Sequence, residues 1–233
     1  MSILFAFLVV GLLGALLGIG LAFASKALAV KKDERAIELE EALPGANCGA
    51  CGYAGCAAYA EAIASGEEET LTLCSPGGPD TAAEIGRIMG VEVEMSGRKL
   101  VAQVHCRGGQ DVSEYAFTYN GLEDCNALYL LYGGDKVCKD GCLGLGSCIR
   151  VCPVDAIDYD VEGKVWVDKD VCISCGKCID ICPTGVMRWI PYDADYMVAC
   201  NSKAPAKEVR KFCKVGCIAC KMCEKKSPEG GYK

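Results

Sequence analysis

The sequence predicts an α+β protein. It should comprise one N-terminal membrane-spanning helix, a small helical four-cysteine domain, a short β-rich connector, a unit of two paired cysteine motifs, and a partial repeat of that unit. Three observations carry this. Residues 1–25 contain no charged side chain, 19 cysteines cluster at short spacings, and apolar and polar residues alternate in brief runs across 93–122. The implied segments are 1–25 (anchor), 26–44 (stalk helix), 45–92 (four-cysteine domain), 93–135 (connector), 136–192 (paired motifs) and 193–233 (partial repeat with a basic tail).

The anchor comes first. A helix of about 23 residues spans about 35 Å, enough for the hydrocarbon core. Lys26, Lys31 and Lys32 follow at once, which by the positive-inside rule places the rest of the chain in the cytoplasm. A cleaved signal peptide is the alternative, because Ala22-Phe23-Ala24 resembles a cleavage site. Against it stand the missing basic n-region and the length of the apolar run. Gly14 and Gly18, with Gly11 and Gly20 nearby, offer a small-residue face for another membrane helix, unless they reflect only the commonness of glycine in such helices. With no ionisable residue in the span, this helix is a poor ion path. Residues 31–43 read as a charged, exposed stalk helix with Ala36, Ile37, Leu39 and Leu43 on one side, stopped by Pro44-Gly45.

So many cysteines mean disulfides or metal. The count is odd, and neighbours two or three residues apart rarely meet bridge geometry, so metal is favoured. The single histidine, His105, excludes sites built on several imidazoles and reads as an ordinary polar surface residue. The formal charge of −7 makes nucleic acid an unsuitable partner. From Cys200 to Lys233, nine Lys/Arg face three Glu, which makes either a solvated tail or a docking surface for an acidic protein.

In "PGANCGACGYAGC", Cys48, Cys51 and Cys56 lie on one tight loop, and Cys74 returns from a distance. Three thiolates on a loop plus one returning can close around a [4Fe-4S] cubane. Zinc is the metal alternative, though its knuckles usually pair two C-x2-C units. "AAYAEAIASGEEE" reads as a helix ending near Gly66 that brings Cys74 back, and 81–92 as a further helix with Ile85, Ile88 and Met89 on one face.

The connector alternates in "VEVEM", "KLVAQVHC" and "YAFTYNG", with turns at Ser96-Gly97, Gly108-Gly109 and Asn120-Gly121. These predict a small sheet of its own between the cluster units. Cys106 and Cys125 lie in or just after it, as buried free thiols or as ligands.

"CISCGKCIDICP" supplies Cys172, Cys175, Cys178, Cys182 and Pro183, the full C-x2-C-x2-C-x3-C-P run of a two-cluster ferredoxin, whose fourth cysteine ligates the other cluster. Its partner is "GCLGLGSCIRVCP", which keeps Cys142, Cys148, Cys152 and Pro153 but has Leu145 in the second cysteine position. By crossing, Cys152, Cys172, Cys175 and Cys178 hold one cluster, and Cys142, Cys148 and Cys182 hold part of another. Cys138 is the expected fourth ligand, because Gly141 lets the chain fold back. The alternative is a three-iron site with Leu145 as its apolar cover.

A shift of 75 residues supports Cys138: Cys125 maps to Cys200, Cys138 to Cys213, Cys142 to Cys217, Cys148 to Cys223 and Leu145 to Cys220. Cys152 maps to Ser227, followed by Pro228. Cys213, Cys217, Cys220 and Cys223 are therefore candidates for a fourth cluster, with Cys200 as a substitute for Cys213; otherwise the stub is unfilled. Three [4Fe-4S] clusters are expected and a fourth is a candidate.

In order, the uncharged N-terminal helix, "PGANCGACGYAGC…C" and "KVCKDGCLGLGSCIRVCPVDAI" resemble the B subunit of the Rnf complex, of the cysteine-rich type. The resemblance covers the whole chain. It implies an electron-transfer component of a membrane-bound, ion-translocating ferredoxin:NAD oxidoreductase, with the other Rnf subunits and soluble ferredoxin as partners. The Gly-rich dinucleotide fingerprint does not occur in the chain, so NAD chemistry is expected on another subunit. Nor does any nucleophile–base constellation stand out. A stand-alone membrane-tethered polyferredoxin and a zinc scaffold are the alternatives.

Overall fold

The computed structural model describes residues 2–27, 33–93, 98–194 and 196–226. Lys31 and Lys32, the Ser96-Gly97 turn, and Ser227 with Pro228 lie outside the described residues.

Helix α1 (Ser2–Ala27) follows directly from the uncharged run. Its stretch Phe7–Lys26 has a mean hydropathy of 2.5, and none of it is buried against the rest of the chain. Among the described residues it is the one helix long and apolar enough to cross a membrane.

Helix α2 (Glu34–Ala42) begins at Asp33, whose carboxylate accepts from the Arg35 N–H at 3.0 Å. The expectation of an exposed stalk does not hold for this helix. Ala36, Leu39 and Leu43 are buried, and α2 packs on α3 (Cys56–Ser65) and α4 (Gly78–Met89). Ile37, expected on the same side, is exposed. The apolar positions of α2 complete a core of Leu39, Leu43, Tyr59, Ala60, Ile63 and Ile85. A four-cysteine domain this small needs that third helix to bury enough apolar area. Gly66 caps α3 in the left-handed region (φ +75°), which turns the chain back toward Cys74.

The connector forms no sheet of its own among the described residues. Its one strand, β1 (Leu100–Val104), pairs antiparallel with β4 (Met187–Pro191), with Ala102 opposite Trp189. "YAFTYNG" contributes only an isolated bridge, Tyr115 to Lys136. The alternation in "LVAQV" suggests one buried face, yet Val101, Ala102, Gln103 and Val104 are all buried. β1 lies inside the core of the paired-motif unit, and the Gln103 amide is satisfied by donating to Val167 O at 3.0 Å.

The other sheet pairs β2 (Ile157–Tyr159) with β3 (Val165–Val167). Around these strands the chain makes helices α5 (Cys125–Tyr129), α6 (Ser147–Arg150) and α7 (Lys177–Asp180), followed later by α8 (Ala206–Phe212) and α9 (Met222–Lys226). The two halves of the paired unit follow one pattern. Gly146 and Gly176 precede α6 and α7 with φ of +68° and +79°, and each is closed over by an aromatic side chain, Tyr159 or Trp189. Strand β1 gives β4 the partner that β3 gives β2.

Candidate metal centres

Four cavities of similar volume are each ringed by four cysteines. The first, ≈ 310 Å³, is lined by Cys48, Cys51, Cys56 and Cys74 with Leu43, Pro44 and Tyr59. The loop before α3 positions three of these, and the Asn47 side chain accepts from the Cys56 N–H at 2.8 Å. A Cβ on Gly55 would stand 2.7 Å from Asn47 Oδ1, so a side chain there would push Asn47 off the Cys56 N–H. Cys74 arrives after α3 because Tyr59 donates to Thr70 O at 2.8 Å and ties down the return.

The second cavity, ≈ 320 Å³, is lined by Cys152, Cys172, Cys175 and Cys178 with Ala102, Ile157 and Val167. These are the four cysteines expected to share a site by crossing.

The third, ≈ 370 Å³, brings together Cys142, Cys148 and Cys182, as expected, but its fourth cysteine is Cys125. Cys138 lines a different cavity. Leu145 also stands off this one, which is bordered by Leu143, so Leu145 is not its cover. Asp124 caps α5 by accepting from the Asn126 and Ala127 N–H groups at 2.8 and 3.0 Å. Ser147 accepts from the Cys125 N–H at 2.8 Å and donates to Asp124 at 3.1 Å, while Arg150 donates to Ser147 Oγ at 3.1 Å. This network pins Cys125 beside Cys148. The chain does fold back at Gly141, whose N–H donates to Cys138 O at 3.4 Å, but the turn carries Cys138 away from this cavity.

The fourth cavity, ≈ 380 Å³, is lined by Cys106, Cys138, Cys200 and Cys213. The expected set Cys213, Cys217, Cys220 and Cys223 is therefore split. Cys213 turns inward, while Cys217, Cys220 and Cys223 lie outside all four cavities, the last two exposed. α9, which carries Cys223, has no buried residue to hold it against the fold. His105 is half-buried rather than a surface residue. A carbonyl can only accept, so its Nδ1 donates to Val198 O, at 3.0 Å. Burial lowers its pKa.

Burial pushes the Cys142, Cys148 and Cys178 thiols up to about 12, and neighbouring sulfurs add to it: Cys106 for Cys142, Cys125 and Cys182 for Cys148, Cys172 for Cys178. Among the described residues no three His, Cys, Asp or Glu side chains converge closely enough to hold a single metal ion. The thiols ring wider spaces, walled largely by apolar residues.

Loops of cysteines at these spacings, two of them crossed in a pseudo-twofold unit, define an iron–sulfur protein of the multi-cluster class. Family models agree: one described as "Putative Fe-S cluster" matches residues 43–76, and a 4Fe-4S dicluster domain matches 137–186. The chain is 38% identical over 221 residues to the B subunit of the ion-translocating oxidoreductase complex of Methanosarcina acetivorans, covering 95% of this chain and 83% of that one. It is 39% identical over 216 residues to the B subunit of the proton-translocating ferredoxin:NAD(+) oxidoreductase complex of Clostridium ljungdahlii, covering 93% and 76%. The B subunit of the Na(+)-translocating ferredoxin:NAD(+) oxidoreductase complex of Acetobacterium woodii is 40% identical over 209 residues, covering 90% and 62%. The chain belongs to this family, the B subunits of ion-translocating (Rnf) oxidoreductase complexes.

Proposed function

We propose that this chain is the membrane-anchored electron-transfer component of an ion-translocating ferredoxin:NAD oxidoreductase complex, receiving electrons from reduced ferredoxin. The observation that carries this is the adjacency of the cysteine sets. Cys48 of the first lies near enough to Cys175 of the second to raise its pKa, after burial and against the Lys177 N–H bond. Cys172 and Cys178 of the second set and Cys148 of the third share one buried core, with Cys142, Cys152 and Cys182 packed against it. The sites thus follow one another through the protein.

The residues fit [4Fe-4S] clusters. Cys48, Cys51, Cys56 and Cys74 would hold the first; Cys152, Cys172, Cys175 and Cys178 the second; Cys125, Cys142, Cys148 and Cys182 the third. Four thiols line each cavity, yet among the described residues no three of them converge closely enough for a single ion, which favours a multi-metal group over one zinc ion. When bound, such clusters exchange single electrons at potentials set by charge, hydrogen bonds to sulfur and solvent exposure. Val167, Ile157, Val165 and Met187 keep water from the sulfurs, and Cys152 Sγ accepts from the Ala156 N–H at 3.3 Å. Helix α1 anchors the unit, and its flanking lysines put the cysteine domains on the cytoplasmic side. The basic residues of 200–226 offer the acidic donor a docking face. NAD chemistry belongs to another subunit.

The test is anaerobic. Detergent-solubilised membranes are fractionated and reduced ferredoxin is added. Co-purification with further membrane subunits and rapid bleaching of the cluster absorption are expected. A monodisperse lone chain would support the tethered polyferredoxin instead, and zinc without acid-labile sulfide would end the redox reading.

A further inference from the structure

We propose that Cys106, Cys138, Cys200 and Cys213 hold a fourth [4Fe-4S] cluster, beside the third. Three of these four residues lie outside both matched family regions, Cys138 being the exception. The four cysteines come from four separate segments: the chain just after β1, the loop before Cys142, the extended chain after β4, and the C-cap of α8. No local spacing motif joins them. Their cavity, ≈ 380 Å³, matches the ≈ 370 Å³ of the third.

Each segment is held in place. His105 joins the Cys106 and Cys200 segments through Val198 O. Asn201, buried, donates to Asp140 O at 3.1 Å and Thr184 O at 2.9 Å, which fixes Cys200 against the Cys138 loop. Glu114 N–H donates to Phe212 O at 2.8 Å and Lys214 N–H to Val112 O at 2.9 Å, bracketing Cys213. The Ser113 hydroxyl points at the Cys213 sulfur, 3.6 Å away.

Two features suit a cluster better than four idle thiols. A Cβ on Gly108, Gly141 or Gly216 would lie 3.5, 3.7 or 3.5 Å from the sulfur of Cys106, Cys138 or Cys213. Bare backbone therefore approaches three of the four sulfurs. The cavity also borders Lys136, which is 3% exposed. Its ammonium donates to Gly108 O at 2.6 Å and lies 5.5 Å from the Tyr115 ring. Among the described residues no carboxylate pairs with it, and a buried unpaired charge is costly. A four-thiolate cubane is anionic, so it would offset that charge. Each thiol gives up its proton as its sulfur binds iron. Val209, Phe212 and Val215 supply an apolar wall.

The site extends the electron path proposed above and rests on it for the type of cluster. Cys106 neighbours Cys142 of the third set, and both line one open cleft.

Full-length protein is purified anaerobically, and iron and acid-labile sulfide are counted per chain. About sixteen of each are expected, four per cubane. A count of about twelve overturns the fourth site and leaves the other three intact; a count well below about twelve contradicts the three-cluster reading as well. Cys200→Ala and Cys213→Ala should each lose one to four irons, in multiples readable as a three-iron form or full loss, together with one low-temperature EPR component. Should Cys200→Ala not accumulate, the volume-conserving Cys200→Ser is counted in its place. Cys220→Ala should keep the full count. If Cys220→Ala loses the extra iron while the cavity variants keep it, the extra cluster sits in the tail and the proposal falls.

Discussion

The Cys125 N–H donates to the Ser147 hydroxyl at 2.8 Å, and that bond joins two segments 22 residues apart at the rim of one cavity. Ser147 is buried, donates in turn to Asp124, and is flanked in sequence by Cys148. A cysteine with no motif around it is thereby placed among Cys142, Cys148 and Cys182.

If Cys125 is the fourth ligand there, Cys125→Ala converts that cluster to a three-iron form or loses it. The magnetic interaction between the two neighbouring reduced clusters should then collapse to a single-cluster EPR signal. Cys138→Ala should keep the interaction signal. The reverse result would restore Cys138 to the third site.

Ser147→Ala removes the acceptor of the partly buried Cys125 N–H and a partner of Asp124. The expected cost is about 1–3 kcal/mol, read as a lower midpoint in anaerobic urea unfolding, with faster iron release from the third site. An unchanged midpoint would mean that water replaces the hydroxyl there.

Helix α2 belongs to the first cluster domain. Leu39 is fully buried against α3 and α4, so Leu39→Ala should cost about 2–5 kcal/mol. Ile37→Ala, on the exposed side, should cost well under about 1 kcal/mol. Thermal loss of the first cluster distinguishes them; equal effects would return α2 to a free stalk.

Lys136→Gln removes a buried positive charge that borders the fourth cavity and faces Cys142. Reduction adds negative charge, so losing the lysine should move the nearest potential downward, by about 40 mV for each kcal/mol of lost attraction in a one-electron couple. Redox titration followed by EPR reads the shift. A rise would contradict the charge argument.

Ferredoxin docking on the basic residues between Cys200 and Lys226 should weaken as ionic strength rises, because exposed charges are screened beyond about 10 Å at 0.1 M salt. Stopped-flow reduction across a salt series measures it. A rate independent of salt would place the docking face elsewhere.

The local cysteine runs were legible in the sequence because a loop of two to four intervening residues cannot separate its thiols by much. Cys48, Cys51 and Cys56, like Cys172, Cys175 and Cys178, converge where the surrounding fold buries the loop; Cys217, Cys220 and Cys223, at the same spacing on a segment the fold does not bury, line none of the four cavities. Crossing of Cys152 and Cys182 was legible from the two-cluster motif itself, whose fourth cysteine, just before Pro153 or Pro183, serves the other site. The alternation of β1 misled, because a strand buried on both faces can carry a polar residue when that residue finds a partner, as Gln103 does at Val167. The signal for the remaining cavity-lining cysteines was present in the 75-residue repeat, which pairs Cys125 with Cys200 and Cys138 with Cys213. Nothing local marks those pairs as belonging to different sites.

By itself, then, the sequence determined the membrane-length helix, the family, the iron–sulfur class and the tight-loop cysteines that line the first two cavities. The tertiary structure decided which distant cysteines complete the third set and make up the fourth. It placed Cys125 at the third cavity and gathered Cys106, Cys138, Cys200 and Cys213 at the fourth. The reason is physical. A ligand returning across many residues is positioned by whatever tethers its segment, here Ser147, Asp124, His105 and Asn201, and those hydrogen bonds exist only once the chain has folded.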